Sequence, residues 1–261
     1  MLSIQSVVKT PVTARSSATD RPRPRLVGVI MSRADLDFAI RMRKPPDLFE
    51  LRLDHLVRIV DELENKLSRL HEPLIITARH PQEGGANNLS LGQRRDLLSR
   101  FLSQAQYIDV ELRSASALRP LLKLAREKNV RRIISFHSLK STPGSRALRV
   151  KARAAEAHGA DIFKIATRTD TPAQLARLVD FIMEKDADLS VSAMGIGKLG
   201  VISRILLACC GSALVYGSVA VATDIEGQMS LEQLRASGIG TNKNHDARIR
   251  KSHASSLVTG H

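Results

Sequence analysis

Eight short aliphatic runs recur along this 261-residue chain, and longer segments with helical spacing separate them. The runs begin near Leu26 (LVGVIMS), Asp47 (DLFELRLD), Pro73 (PLIITAR), Ala105 (AQYIDVEL), Arg131 (RRIISFH), Ala160 (ADIFKIAT), Asp188 (DLSVSAMG) and Ala213 (ALVYGSV). They repeat about every 27 residues, the length of one strand–loop–helix–loop unit. Six intervening segments (58–70, 91–104, 117–128, 147–158, 172–185 and 201–210) carry apolar residues on one helical stripe. In the first, the stripe is Ile59, Leu63, Leu67 and Leu70. Pro172 suits the first turn of its helix, and Gly159 stands where another helix must stop. Such alternation builds a parallel sheet. Eight units in about 210 residues close that sheet into a single-domain (β/α)8 TIM barrel of the α/β class. An open doubly wound sheet is the alternative.

The formal net charge is +14, and half of it lies outside the repeating units. Residues 1–25 and 236–261 are expected to be disordered, a basic and a polar tail, flanking a catalytic barrel at 26–235. A basic enzyme that draws an anionic substrate accounts for the charge. Nucleic-acid binding is the competing reading, but aromatic residues make up 3% of the chain and Trp is absent, so base-stacking platforms are not expected. No apolar run approaches the ~20 residues that cross a bilayer. The N-terminal stretch lacks a signal-peptide pattern. The two cysteines, Cys209 and Cys210, are adjacent and point in different directions on a helix, which makes a poor disulfide. They read as small apolar side chains in a reducing cytoplasm. No Cys/His spacing marks a zinc site.

Two strands carry a charged face. Glu50, Arg52 and Asp54 oppose Phe49, Leu51 and Leu53; Asp109, Glu111 and Arg113 oppose Ile108, Val110 and Leu112. Barrel strands are covered on both faces, so buried charges there are costly unless they line a site. Arg79, Glu83 and His137 fall at the same C-terminal ends, where such barrels hold their sites. Lys164 interrupts an apolar strand and shares a face with Ile162 and Ala166. Burial and cations such as Arg52, Arg79 and Arg204 are expected to favour its neutral, nucleophilic amine. The bland alternatives are a lysine paired with Glu111 and a strand-end histidine satisfied by backbone. Gly195-Ile-Gly197-Lys-Leu-Gly200 matches a dinucleotide fingerprint, but too little chain follows it for the βαβ units a dinucleotide fold needs. Those glycines read as a loop passing close to a ligand, with Arg204 on the next helix able to clamp a carboxylate.

Taken together, these motifs resemble the type I 3-dehydroquinate dehydratases. The resemblance runs from about Leu26 to Leu234. It rests on Glu50-Leu-Arg52-Leu-Asp54, Thr77-Ala-Arg79 with Glu83-Gly-Gly, Asp109-Val-Glu111, Ser135-Phe-His137, Lys164-Ile-Ala, Met194 through Ser203-Arg204, Gly211-Ser-Ala and Gly227-Gln228. It implies a barrel that dehydrates 3-dehydroquinate to 3-dehydroshikimate in the shikimate pathway, without metal or cofactor, as a cytoplasmic homodimer. It assigns Lys164 to the Schiff base, His137 to proton transfer and Glu83 to orienting that histidine. Glu50, Arg52 and Arg79 would hold substrate hydroxyls, and Arg204, Thr223 and Gln228 would lie near the carboxylate. The lid segment Thr223-Asp-Ile-Glu-Gly-Gln228 is one residue longer than the family's Ser-Ala-Pro-Gly-Gln and adds Asp224 and Glu226. Ile196 replaces a common methionine, and Gly238 and Gly240 shorten the last helix. A class I aldolase, which also places a Schiff-base lysine on its sixth strand, and a basic nucleic-acid-associated protein are the alternatives.

Overall fold

The computed structural model describes residues 23–184, 189–220 and 226–240. Eight strands appear where the aliphatic runs lie: β1 Arg25–Ile30, β2 Leu48–Arg52, β3 Leu74–Thr77, β4 Tyr107–Glu111, β5 Arg131–Ser138, β6 Ile162–Arg168, β7 Ser190–Ile196 and β8 Leu214–Ser218. The described α-helices are α1 Arg33–Ile40, α2 Leu53–Leu56, α3 Val60–Lys66, α4 Leu91–Phe101, α5 Leu112–Ala115, α6 Arg119–Glu127, α7 Ser145–Ala157, α8 Pro172–Met183, α9 Gly200–Cys209 and α10 Leu231–Ala236. Neighbouring strands pair in parallel from β8 through β1 to β7. The seam between β7 and β8 is drawn together by single bonds. Ala213 N–H donates to Val191 O at 2.8 Å, and Ser192 Oγ–H donates to Leu214 O at 2.9 Å. The result is a nearly closed (β/α)8 barrel, not an open sheet.

Local chemistry explains the helix starts. Ser90, Thr171 and Ser230 each close a capping box with Gln93, Gln174 and Gln233, satisfying orphan N–H groups at the starts of α4, α8 and α10. Helix α1 lay outside the apolar-stripe reading. Only Leu36 and Ala39 are buried on it, and its signal is the Ser32 cap, which accepts from Asp35 N–H. Outward strand residues such as Phe49, Ile76, Ile108 and Phe163 pack against Leu63, Phe101, Leu148 and Phe181 of the helix ring. Phe163 and Phe181 meet edge to face at 6.2 Å. Inside the barrel, Val27, Leu48, Ile75, Tyr107, Ile133, Ile162 and Leu214 form a second apolar layer that floors the site above it.

Two details correct the charged-strand picture. Strand β2 ends at Arg52 and β4 at Glu111, because the chain turns directly into α2 and α5. Asp54 therefore lies buried below the mouth, and Arg113 is exposed on a helix. The packed chain also exceeds the expected limits of 26–235. Arg23 pairs with Asp47 at 2.6 Å, and Ile239 is 6% exposed, because both flanks pack around the N-terminal end of β1 and β8. Helix α10 stops at Ala236, and Gly238 and Gly240 take positive φ after it.

The glycines of 195–200 serve a close approach, but to the chain itself. A Cβ on Gly200 would fall 2.7 Å from Gly227 Cα and O. Gly200→Ala is therefore expected to force the loop before α10 outward, destabilising the protein by about 1–3 kcal/mol. A calorimetric melt at wild-type Tm would contradict that packing.

Candidate active site

The strand register assembles the inward polar residues in two layers. Thr77 aligns with Asp109, Glu111 with Ser135, Ser135 with Lys164 and Lys164 with Ser192; His137, aligned with Ala166, stands one layer higher. Lys164 is 3% exposed, and its Nζ donates to Asp109 Oδ2 at 2.9 Å and to Glu50 Oε1 at 3.0 Å. The same ammonium lies 3.9 Å from the centre of the Tyr216 ring. The lysine is thus held by two carboxylates, neither of them Glu111, and the cation-crowded lysine expected from sequence is not what the barrel builds.

Arg79 takes the other faces of these acids. Its guanidinium donates to Asp109 at 2.9 and 3.2 Å, to Glu111 at 3.3 Å and to Ser135 Oγ at 2.5 Å. Ser135 Oγ–H in turn donates to Asp109 Oδ1 at 2.6 Å, and Thr77 Oγ–H donates to Glu50 at 2.8 Å. Arg94, from α4, donates to Glu111 Oε2 at 2.9 Å. Three buried acids, Glu50, Asp109 and Glu111, thereby face three buried cations, Arg79, Arg94 and Lys164. Burial opposes ionisation of Asp109, yet Arg79 and Lys164 hold its carboxyl far below the usual range. Burial likewise opposes the Arg79 charge, and Asp109 and Glu111 outweigh it, raising its pKa.

The mouth is built by short-range turns. Arg52 donates to both oxygens of Asp54, at 3.0 and 2.8 Å, and to Gly84 O at 3.1 Å. Asp54 also accepts from Arg79 N–H and Ala86 N–H, which ties β2 to the loop after β3. That loop carries Glu83. Its Oε2 accepts from His137 N–H at 3.0 Å and lies 3.1 Å from His137 Nδ1. Burial and the charge of Glu111 push Glu83 from 4.5 up to about 7. Burial, Arg79 and Lys164 push His137 well below its usual value, so the ring is neutral near pH 7. An ionised Glu83 accepts Nδ1–H and leaves the Nε2 lone pair free to act as a base.

Arg204 is buried on α9. It donates from Nε to Tyr216 O at 3.2 Å and from Nη1 to Gly195 O at 3.1 Å, Gly200 O at 3.3 Å and Gly227 O. Among the described residues no carboxylate pairs with it, and burial pushes its pKa down to about 10. Gln228 is half-buried beside Gly227. Thr223 and Asp224 lie outside the described residues. Glu226, one of the two acids added by the longer lid segment, pairs with Arg168 at 3.3 Å. Asp109 and Glu111, expected only as a charged strand face lining the site, are the acids that pair with Lys164, Arg79 and Arg94. Ser135 and Tyr216 join the cluster from inward strand positions to which the sequence assigns no role. Among the described residues no group of three or more His, Cys, Asp or Glu could hold a metal ion. No described helix is long and apolar enough to cross a membrane.

The family model of the type I 3-dehydroquinases matches residues 29–237. The chain belongs to that family. The 3-dehydroquinate dehydratase of Pyrococcus abyssi is 34% identical over 72% of this chain and 85% of its own length. That of Salmonella typhimurium is 30% identical over 86% of this chain and 95% of its own. The structure of type I 3-dehydroquinate dehydratase from Clostridium difficile, with covalent modified comenic acid, superposes with a TM-score of 0.74 at 25% identity, over 82% and 90% of the two chains. Membership in the type I 3-dehydroquinases decides against the class I aldolase alternative.

The elevated Glu83 has a stability consequence for this type I 3-dehydroquinase site. Its folded value, about 7, exceeds its ordinary 4.5, so the stability it contributes is full below pH 4.5 and lost as pH rises through 7. Glu83→Gln is expected to melt with the wild type at pH 4 and to be more stable at pH 8.5, by up to about 3 kcal/mol. Parallel melting curves at the two pH values check this; equal Tm at pH 8.5 would contradict it.

Proposed function

We propose that this chain converts 3-dehydroquinate to 3-dehydroshikimate by eliminating water through an imine on Lys164. The observation that carries the reading is a lysine buried among paired charges, one layer below a neutral histidine whose Nδ1 is engaged by Glu83. Lys164 Nζ first passes a proton to Asp109 or Glu50, the carboxylates it donates to. The neutral amine adds to the ketone carbonyl, and return of that proton to the carbinolamine hydroxyl expels water and gives the iminium, a stronger electron sink than the ketone. His137 Nε2 removes an α-proton, the electrons pass to the iminium nitrogen, and an enamine forms. Collapse of the enamine expels the β-hydroxyl, which leaves as water with the proton returned from His137. Hydrolysis then releases the enone and restores the amine, so the net change is loss of one water.

The other side chains supply position. Glu50, Arg52 and Arg79 line the rim and wall with donors and acceptors for substrate hydroxyls. Arg204 supplies the uncompensated cation that a substrate carboxylate needs, with Gln228 beside the same loop and Thr223 assigned to the lid. In this reading the reaction serves the shikimate pathway in the cytoplasm. The exposed Val201, Ile202 and Leu206 of α9 support a homodimer contact; light scattering that gives the mass of one chain would remove that assignment.

The test is a dehydroquinate assay with borohydride. The enone absorbance rises on mixing, and borohydride added during turnover traps the ligand on Lys164, located by peptide mass spectrometry. No enone, or an adduct on Lys140 or Lys198, overturns the reading. In the same assay His137→Ala loses at least about 10²-fold in kcat while keeping the Lys164 adduct. A backbone-satisfied histidine would instead show a lower Tm with kcat unchanged.

A further inference from the structure

The opposite, N-terminal end of the barrel holds a cavity of about 590 Å³, lined in part by Arg25, Tyr107 and Arg131. Arg25 opens β1, Tyr107 opens β4 and Arg131 opens β5. Strand β1 is separated from β4 by β2 and β3, so Arg25 reaches across the barrel floor. The two arginines meet at one atom: Nη1 of each donates to Tyr107 Oη at 3.0 Å. Their guanidinium carbons also lie 5.9 and 5.4 Å from the centre of the Tyr107 ring.

This arrangement gathers donors and positive charge, with no acid among the described residues to answer it. A phenol oxygen offers two acceptor lone pairs and one proton. Both lone pairs are taken by the arginines, and the proton has no acceptor among the described residues. Asp47, near Arg25, is occupied by Arg23 and by Leu26 N–H, and Asp161, next to β5, is occupied by Arg132. Among the described residues no carboxylate pairs with Arg25 or Arg131. Two guanidinium groups converging on one oxygen repel each other, and an anion seated between them would relieve that repulsion while accepting from three directions. The chain's own flanking segments, 1–22 and 241–261, are net basic in sequence. The apolar floor of Ile133, Ile162 and Leu214 belongs to this end, below the layer of Lys164.

We propose that this cavity is a binding site for a compact dianion, a phosphate monoester or a dicarboxylate, held between Arg25 and Arg131 with Tyr107 Oη–H as the third donor. The site is distinct from the dehydratase centre, and its occupant bridges β1, β4 and β5 at their N-terminal ends. Isothermal titration calorimetry of the full chain with inorganic phosphate, and separately with succinate, at constant ionic strength tests this. One saturable site is expected for one of the two probes, and the probe that binds assigns the class. Arg131→Gln weakens binding about ten-fold or more, the loss of one charge-assisted bond, and Tyr107→Phe weakens it less. Turnover of dehydroquinate by Arg131→Gln stays at the wild-type level, which shows that the variant is folded. Absence of saturable binding for both probes, or wild-type affinity in folded Arg131→Gln, overturns the proposal.

Discussion

Asp109 bridges Arg79 and Lys164 within the barrel, and much of the remaining structure follows from that pairing. Each of these ions would cost several kcal/mol if buried alone, so none is tolerable unless all are present and bonded. The requirement spreads outward. Glu50 completes the lysine and recruits Thr77; Glu111 completes Arg79 and recruits Arg94 from α4. Five consecutive strands, β2 to β6, thereby contribute to one connected polar cluster. The layer beneath is aliphatic apart from the tyrosine rings, and the helix ring outside is aliphatic and aromatic, which excludes water from the pairs. Removing one partner leaves an uncompensated charge in that environment, so stability and chemistry are bound to the same atoms.

The His137–Glu83 pair shows the opposite use of burial. Here water exclusion is not answered by full pairing, and the two groups move in opposite directions: the acid rises to about 7 and the imidazole falls well below its usual value. A histidine that stays neutral can take a proton, and a carboxylate that accepts from both its backbone N–H and its ring selects the tautomer. The destabilisation of Glu83 above neutrality is the cost of that function. It is met by the capped helices and aliphatic packing elsewhere in the barrel.

The sequence displayed the barrel well because its periodicity is redundant: eight aliphatic runs at nearly constant spacing admit few other closures. It displayed Lys164, His137 and the charged faces because each breaks an apolar alternation. What it could not display was partnership. Whether Lys164 meets Glu50, Asp109 or Glu111 depends on the stagger between strands two and four elements apart, and that is a property of the closed sheet. The early ends of β2 and β4 were hidden for a related reason. Asp54 and Arg113 continue the alternation in sequence, although the backbone has already turned into α2 and α5. Helix α1 leaves little mark in the sequence because it buries only two residues, and the Ser32 cap is what signals its start.

The segment Gly195–Gly200 shows how a motif changes meaning with the direction of its backbone. A phosphate-binding glycine loop works by pointing unpaired N–H groups at an anion. In this chain those groups are occupied. Gly195 N–H donates to Ser203 Oγ, Gly197 N–H to Glu226 O, Lys198 N–H to Asp170 Oδ1, Leu199 N–H to Thr169 O and Gly200 N–H to Gly197 O. The carbonyls are what the loop offers: Gly195 O and Gly200 O accept from Arg204, together with Gly227 O from the loop after β8. The glycines are needed because the two loops approach so closely that a Cβ on Gly200 would meet Gly227 backbone. The loop therefore holds a cation rather than an anion. That cation carries its charge to the mouth of the barrel with no carboxylate among the described residues to answer it, and the seat it occupies joins the loop after β7 to the loop before α10.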